Sequence, residues 1–220
     1  MSISARLAEV RGRIDAAARR GGRSGEDVAL VAVTKGVEVD RIAEALGAGV
    51  TALGESRAQE LLAKAPDLSS FAGEWHFVGR LQRNKVAGLA PLVALWHSID
   101  RPELVPVLAR RAAGARVLVE VNVGGDPAKS GCEPARAGAL VDELADADLK
   151  VEGLMTVPPL GVDPRGAFAA LRQLAESLGL PQLSMGMSDD FEIAVEEGST
   201  MVRLGRVLFG PRPGLRSLQR

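Results

Sequence analysis

The most informative absence in this 220-residue sequence is tyrosine, of which there is none. A mechanism that needs a phenolic acid, base or phosphate ligand must therefore use another side chain. The single cysteine, Cys132, excludes an internal disulfide and fits a reducing compartment, so we expect a cytoplasmic protein. Two histidines and one cysteine are few soft ligands for a transition metal, and we expect no metal site.

An excess of one charge and a long apolar run are also missing. The 27 basic and 28 acidic side chains give a formal net charge of −1, so no overall field would attract nucleic acid. No basic and then apolar leader follows Met1, and no apolar run is long enough to span a bilayer. We therefore expect neither nucleic acid nor a membrane among the partners of this chain.

The sequence does contain a regular alternation of strand-like and helix-like segments. A leading helix is predicted from apolar residues at helical spacing, from Ile3 to Ile14. Eight β-rich segments then alternate with amphipathic ones, without a linker that would separate two halves. This predicts the α/β class, as a single parallel (β/α)8 TIM barrel over residues 1–220 with an extra N-terminal helix, and an open doubly wound sheet is the alternative. The predicted strands are 27–35, 50–55, 74–80, 95–99, 115–123, 149–157, 182–187 and 200–209.

The carboxyl ends of barrel strands are where functional side chains are expected. Lys35 ends the first strand, Val31-Ala32-Val33-Thr34-Lys35, and apolar neighbours favour the neutral amine that Schiff-base chemistry needs. A lysine that simply leaves the strand into solvent is the alternative.

The last two strands carry the features of an anion site. Ser188 follows the seventh strand and begins a helix, whose free N–H groups favour an anion. Gly205 ends the next strand beside Arg206, and a glycine lets backbone N–H groups approach a ligand closely. Arg203, two residues earlier, should share an inward face and is a candidate ligand for a polar ring atom, or else a salt-bridge partner at the barrel mouth.

With these residues identified, the chain resembles the pyridoxal phosphate homeostasis protein family, whose barrel is similar to the amino-terminal domain of alanine racemase. The matching segments follow the order of the family and cover most of the chain; they are VAVTK (31–35), WHFVGRLQRNK (75–85), HSID (97–100), VNVGGDPAKSG (121–131), GLMT (153–156) and SMGMSDDFEIAVEEGSTMVRLG (184–205).

The resemblance implies a set of roles. Lys35 would carry pyridoxal 5′-phosphate as an internal aldimine, while Ser188 and the backbone of Gly205 and Arg206 would hold the phosphate. Arg203 would face the pyridine nitrogen, where it would disfavour protonation of the ring. His76 is a further candidate for a contact with the cofactor, although a histidine within an apolar strand is more often part of the core.

One segment departs from the family pattern. The family commonly reads Gly-Glu-Asn-Tyr after the second strand, where this chain has Gly54-Glu55-Ser56-Arg57. Ser56 is shorter than asparagine, and Arg57 either stacks in the place of the tyrosine or leaves that place empty.

Two functions of different classes fit these features, and we favour the first. A non-catalytic binder would store, buffer or deliver the cofactor in vitamin B6 homeostasis, with apo-enzymes that receive it as partners. An amino acid racemase would need acid-base groups on both faces of the substrate carbon, and no second group is evident from the sequence. Alanine racemases place a tyrosine opposite the lysine and have a second domain, and we expect neither feature here. An aldolase-type enzyme that forms a Schiff base with a sugar phosphate is a third and less favoured alternative. We expect a monomer, because no extra dimerisation arm is visible.

Overall fold

The structure, a computed structural model, describes residues 1–70, 73–159 and 161–211. Residues 71–72, 160 and 212–220 of the expected 1–220 domain lie outside the described residues. None of the helices within the described ranges has an apolar stretch long enough to cross a bilayer.

Eight parallel strands close into a barrel in which each strand pairs with the next and the eighth returns to the first. Their register is regular except for irregularities along β4 and between β5 and β6. The strands are β1 (Ala29–Val33), β2 (Ala52–Glu55), β3 (Glu74–Phe77), β4 (Val93–Ile99), β5 (Arg116–Glu120), β6 (Lys150–Met155), β7 (Gln182–Ser184) and β8 (Met201–Leu204).

Helices cover the outside of the barrel, and one of them precedes the first strand. The predicted extra N-terminal helix is therefore confirmed, and it ends at Arg20, directly before Gly21 and Gly22. The helices are α1 (Ile3–Arg20), α2 (Val39–Gly47), α3 (Ala58–Lys64), α4 (Val86–Leu89), α5 (Val105–Arg111), α6 (Pro134–Asp146), α7 (Arg165–Ser177), α8 (Phe191–Glu196) and α9 (Arg206–Phe209), with short 3-10 turns before β1, α4 and α5.

The predicted barrel is confirmed, and the open doubly wound sheet is excluded by the pairing of β8 with β1. Most predicted strands are too long, because residues continue to be buried after the interstrand ladder has ended. The largest error is the eighth strand, predicted over 200–209. It ends at Leu204, and α9 begins after Gly205, where the chain turns and Leu208 packs into the core.

Each strand separates an outer layer of apolar side chains from the barrel interior. The outward residues pack against the helices in one continuous core that includes Leu30, Leu53 and Phe77. The interior contains a small separate apolar cluster of Leu95, Leu118, Met155 and Met201. The rest of the interior is largely polar, which is unusual for the packed centre of such a barrel; its buried polar side chains include His76, His97, Glu120, Ser184 and Arg203.

Candidate functional site

Lys35 lies at the carboxyl-end mouth of the barrel, two residues after β1. It has the strand parity of Val31 and Val33, whereas Leu30 and Ala32 face the helices, so the lysine continues the inward-facing row. Gly36 follows with a positive φ of 68°, which turns the chain away from the strand at once. The half-buried Lys35 amine has no hydrogen-bond or ion-pair partner among the described residues.

Other lysines near the mouth have partners. Lys64 Nζ donates to Glu55 Oε2 at 2.9 Å, to Glu60 Oε2 at 2.7 Å and to the Thr34 carbonyl at 2.7 Å. Lys129 Nζ donates to the backbone carbonyls of residues 157 and 158, at the end of β6. Both of these ammonium groups are engaged in hydrogen bonds, so of the three lysines only Lys35 has an amine without a partner among the described residues.

A buried cluster behind Lys35 fixes the ends of β1 and β2. Glu55 is fully buried; besides Lys64, it accepts from the Thr34 hydroxyl at 2.9 Å and from the Ser56 amide at 2.8 Å. Glu60 accepts from the Gly36 amide at 2.7 Å. Partial burial by itself raises the pKa of Glu60, but these donors outweigh it and lower that pKa to about 2. The cluster ties both flanks of Lys35 to α3.

The predicted anion site lies on the neighbouring strands. Ser188 Oγ accepts from the Val207 amide at 3.3 Å, which joins the loop after β7 to the start of α9. The amides of Gly205 and Arg206 have no acceptor among the described residues. The guanidinium of Arg206 pairs with the Asp189 carboxylate at the surface. Ser188 does not begin a helix as predicted, because α8 starts at Phe191 with Asp190 as its N-cap. It nevertheless lies close to Gly205 and Arg206, whose amides are available for an anion.

Arg203 is buried in the interior below these loops. Its Nη1 donates to both the carbonyl and the hydroxyl oxygen of Ser184 at 2.7 Å, and its Nη2 donates to the Thr156 carbonyl at 2.9 Å. These bonds use three of its five N–H donors, and the other two have no acceptor among the described residues. Burial lowers the pKa of Arg203 to about 10, so the side chain stays charged at neutral pH.

Glu120 is a candidate that the sequence reasoning missed. It ends β5, which lies diametrically across the barrel from β1, and its carboxylate accepts from the Ser130 hydroxyl at 2.9 Å. Burial raises the pKa of Glu120, and the nearby charge of Asp100 acts in the same direction, although Arg203 opposes it. The alternating pattern of Arg116, Leu118 and Glu120 within β5 was the available signal.

His76 is not with the other predicted residues. Its Nδ1 contacts His97 Nε2 at 2.9 Å, and its Nε2 contacts Glu74 at 3.1 Å, at the amino ends of the strands. It lines a cleft at that face together with Glu74, Arg116 and Glu152. The alternation of β3 correctly makes His76 an inward residue, but its side chain extends towards the face of the barrel opposite Lys35.

Three further polar side chains, Thr156, Asn122 and Cys132, lie in the loops that follow β5 and β6. The Thr156 hydroxyl donates to the Val121 carbonyl at 2.8 Å, and the Asn122 side-chain amide donates to the Asp126 carbonyl at 2.8 Å. Burial raises the pKa of Cys132 to about 11, which makes its thiol a poor nucleophile. The Thr156 and Asn122 side chains therefore bond to the local backbone.

The departure at Ser56 and Arg57 has a clear structural form. The buried Ser56 Oγ has no hydrogen-bond partner among the described atoms, and it borders a cleft that Arg80 and Lys85 also line. Arg57 is largely exposed and pairs with Glu60 at 2.8 Å. The guanidinium of Arg57 is therefore held by a carboxylate on α3.

Comparison with known proteins identifies the family. Residues 6–213 match the family described as alanine racemase, N-terminal domain. The chain is 42% identical to the pyridoxal phosphate homeostasis protein of Aquifex aeolicus, over 96% of this chain and 99% of the relative. It is 39% identical to the protein of the same name from Pseudomonas aeruginosa, over 96% of each chain.

Solved structures agree in fold. PipY of Synechococcus elongatus, solved with PLP bound, superposes with a TM-score of 0.83 at 32% identity, covering 94% of this chain and all (100%) of PipY. Alanine racemase from Corynebacterium glutamicum shares the fold with a TM-score of 0.67 at 20% identity, and the match covers 94% of this chain and 62% of the racemase. The chain therefore belongs to the pyridoxal phosphate homeostasis protein family, on the barrel of the alanine racemase N-terminal domain.

Proposed function

We propose that this protein binds pyridoxal 5′-phosphate at the mouth of the barrel and holds it for vitamin B6 homeostasis, rather than catalysing a reaction with it. The observation that carries the proposal is that the Lys35 amine, just after β1, and the Gly205 and Arg206 amides, just after β8, all lack partners among the described residues. Because β1 pairs with β8, both lie on one side of the mouth.

The residues present fit each end of this cofactor. When bound, the cofactor supplies an aldehyde carbon, with which the Lys35 amine can form a covalent link. Ser188 and the amides of Gly205 and Arg206 would hold the phosphate dianion. The two unused N–H donors of Arg203 would face the pyridine nitrogen, and a permanent cation there disfavours ring protonation. The ring would then be a weak electron sink, which suits storage better than catalysis.

Racemase activity is the second candidate, and Glu120 is the observation that bears on it. A racemase needs two acid-base groups on opposite faces of the substrate carbon. Lys35 could serve as one, and Glu120 lies across the barrel on β5 with a raised pKa. Its carboxylate, however, already accepts a hydrogen bond from Ser130. The positive charge of Arg203 also lowers the pKa of Glu120, against the effect of burial. The names of the relatives support the binder.

The identity of the partners belongs to the same proposal. Apo-enzymes that need the cofactor are the expected recipients, in the cytoplasm, and the carrier is expected to act as a monomer. Sedimentation of the apo-protein and of the loaded protein tests the last point, and a dimer in both states would contradict it.

The central experiment locates the covalent link. Purified protein incubated with pyridoxal 5′-phosphate should show a visible absorbance band that borohydride shifts, and a digest should place the reduced adduct on Lys35. Lys35→Ala should abolish the band and weaken binding about a hundredfold or more, since each 1.4 kcal/mol is tenfold. Lys150→Ala is the matched control, because Lys150 is exposed at the amino end of β6. An adduct on another lysine, or no uptake, would refute the assignment.

A separate experiment distinguishes the binder from the racemase. The loaded protein is incubated in heavy water with single enantiomers of alanine and serine, and exchange of the α-proton is followed by NMR. We expect exchange far below ordinary enzymatic turnover, which is roughly 1 per second or faster. Turnover on that scale that is lost in Glu120→Gln would establish the racemase instead.

A further inference from the structure

A continuous line of hydrogen bonds crosses the barrel interior from Arg203 to the opposite face. Arg203 Nη1 donates to Ser184 Oγ at 2.7 Å, and this oxygen lies 2.8 Å from His97 Nδ1. His97 Nε2 lies 2.9 Å from His76 Nδ1, and His76 Nε2 lies 3.1 Å from the Glu74 carboxylate. The line joins β8, β7, β4 and β3, and it ends in the cleft at the amino ends of the strands.

The middle of the line is buried. Ser184 and His97 are fully buried, and His76 and Arg203 are each 4% exposed. The apolar cluster of Leu95, Leu118, Met155 and Met201 occupies the same interior. Glu74, by contrast, has a side chain that is 49% exposed, and it also pairs with Arg116 at 2.9 Å. Solvent therefore reaches the carboxylate end, while the middle of the line depends on its own members for hydrogen bonds.

The two ends of the line fix the direction of every hydrogen bond in it. An arginine can only donate, so Ser184 Oγ accepts and its own O–H is free to donate. An ionised carboxylate can only accept, so the His76 Nε2–H donates to Glu74, and His76 Nδ1 of the neutral ring must accept. His97 must then carry its proton on Nε2 and accept at Nδ1 from the Ser184 hydroxyl. Within the line, Ser184 Oγ and the two rings each accept once and donate once, and no alternative arrangement satisfies all four contacts with neutral rings and an ionised Glu74.

The surroundings keep both rings neutral. Burial lowers the pKa of His76, although hydrogen bonding and charge from Glu74 oppose it. Burial lowers the pKa of His97 well below its usual range, and the charges of Arg203 and Arg116 act in the same direction. A second proton on either ring would also remove an acceptor from the line.

We propose that Ser184, His97 and His76 are positioning residues that aim the Arg203 guanidinium at the cofactor site through a one-directional hydrogen-bonded line anchored on Glu74. The line reserves the Ser184 oxygen lone pair for Arg203, because the hydroxyl proton is committed to His97. Together with the Ser184 and Thr156 carbonyls, this leaves the remaining donors of Arg203 directed away from the barrel wall. The link to the cofactor rests on the proposed function, but the direction of the line does not.

The first test needs no cofactor. The chain has only two histidines, so nitrogen-15 NMR of histidine-labelled apo-protein, without an affinity tag, shows two rings that one substitution assigns. We expect both rings to be neutral at pH 7.5, with the proton on Nε2 and an unprotonated, hydrogen-bonded Nδ1. A proton on Nδ1 of either ring, or a charged ring, would overturn the proposal whether or not the protein binds pyridoxal 5′-phosphate.

The second test breaks the line in its middle. Ser184→Ala removes the donor to His97, so the His97 Nδ1 signal should move to the position of an unbonded ring nitrogen, and the affinity for pyridoxal 5′-phosphate should fall about tenfold. Ser199→Ala is the matched control; Ser199 is equally buried beside β7 and β8, but its hydroxyl contacts only backbone carbonyls. The control should change neither quantity. An unchanged His97 signal in Ser184→Ala would refute the line. If the His97 signal moves but the affinity does not change, the line exists but does not position Arg203, and the positioning role is refuted.

Discussion

Both ends of the barrel carry an arginine, Arg116 at the amino end and Arg203 towards the carboxyl end, and the two differ in burial and in the kind of partner they have. At the amino end, Arg116 pairs with Glu152 at 2.6 Å and with Glu74 at 2.9 Å. At the carboxyl end, the Lys35 amine, the Gly205 and Arg206 amides and two donors of Arg203 lack acceptors among the described residues. Charge density alone would not distinguish the two ends. Arg116 also leaves two N–H donors without an acceptor among the described residues, but its side chain is 38% exposed and pairs with carboxylates, whereas Arg203 is buried and bonds only to carbonyl and hydroxyl oxygens there. Unused donors on a buried cation cost free energy, and this supports the proposed binding site at the carboxyl end.

The largest expected effect is on stability, and it concerns the buried Lys64–Glu55 ion pair behind Lys35. Lys64→Met leaves the fully buried Glu55 carboxylate without its cation, and breaking such a pair costs about 3 to 5 kcal/mol. We expect a loss of about that size in the free energy of unfolding, measured by urea denaturation.

The matched control for this variant is Arg172→Met, which breaks an exposed pair with Glu176 on α7. Such pairs contribute about 0.3 to 0.5 kcal/mol. A loss below about 1 kcal/mol for Lys64→Met would show that the cluster behind Lys35 contributes no more than a surface pair.

The comparison of the two ends can be tested directly with two arginines. Arg203→Gln removes the buried cation at the binding end, and we expect the dissociation constant for pyridoxal 5′-phosphate to rise about tenfold to a hundredfold. Arg116→Gln makes the same change at the amino end, where the guanidinium is 38% exposed and pairs with the carboxylates of Glu74 and Glu152, and should change it less than about twofold. Equilibrium dialysis gives both constants, and thermal unfolding verifies that each variant is folded. Equal effects would contradict the distinction between the two ends.

The smallest expected effect concerns acid stability. The pKa of Glu60 is lowered to about 2 in the folded protein, despite partial burial, by hydrogen bonds from Gly36, Lys64 and Arg57. A lowered pKa contributes stability above the ordinary value of 4.5 that is lost as the pH falls towards about 2. Glu60→Gln should therefore flatten the fall in stability between these two values.

Urea denaturation at several pH values follows this change, with Glu176→Gln as the control on an exposed carboxylate that is 62% accessible. A Glu60→Gln variant whose stability falls as steeply with acid as that of the unmodified protein would show that Glu60 does not contribute.

The barrel could be predicted from the sequence because the alternation of eight strand-like segments with helix-like ones does not depend on where each segment begins or ends. It did not predict where each ladder stops, since apolar character reports burial and not interstrand pairing. The run Val207-Leu208-Phe209 is as apolar as a strand, yet it forms α9, because the chain turns at Gly205. Strand ends of this kind depend on register, which local pattern does not contain.

Part of the candidate site could likewise be predicted from the sequence. Lys35, Ser188, Gly205 and Arg206 follow from their places at strand ends, and the structure brings them to one mouth. Alternation makes His76 inward but does not say towards which face its side chain extends. Its partner, His97, is on another strand, and the contact between them depends on the irregular register of β3 and β4.

The pairing of β1 with β8 also has a consequence for biosynthesis. The chain is made from its amino end, so Lys35 leaves the ribosome early, while Gly205 and Arg206 follow only after the last strand. The amine and the anion loops become neighbours only when the final strand has docked against the first. An incomplete chain would carry the amine without the loops that hold a phosphate. Only a complete, closed barrel would therefore be able to retain pyridoxal 5′-phosphate.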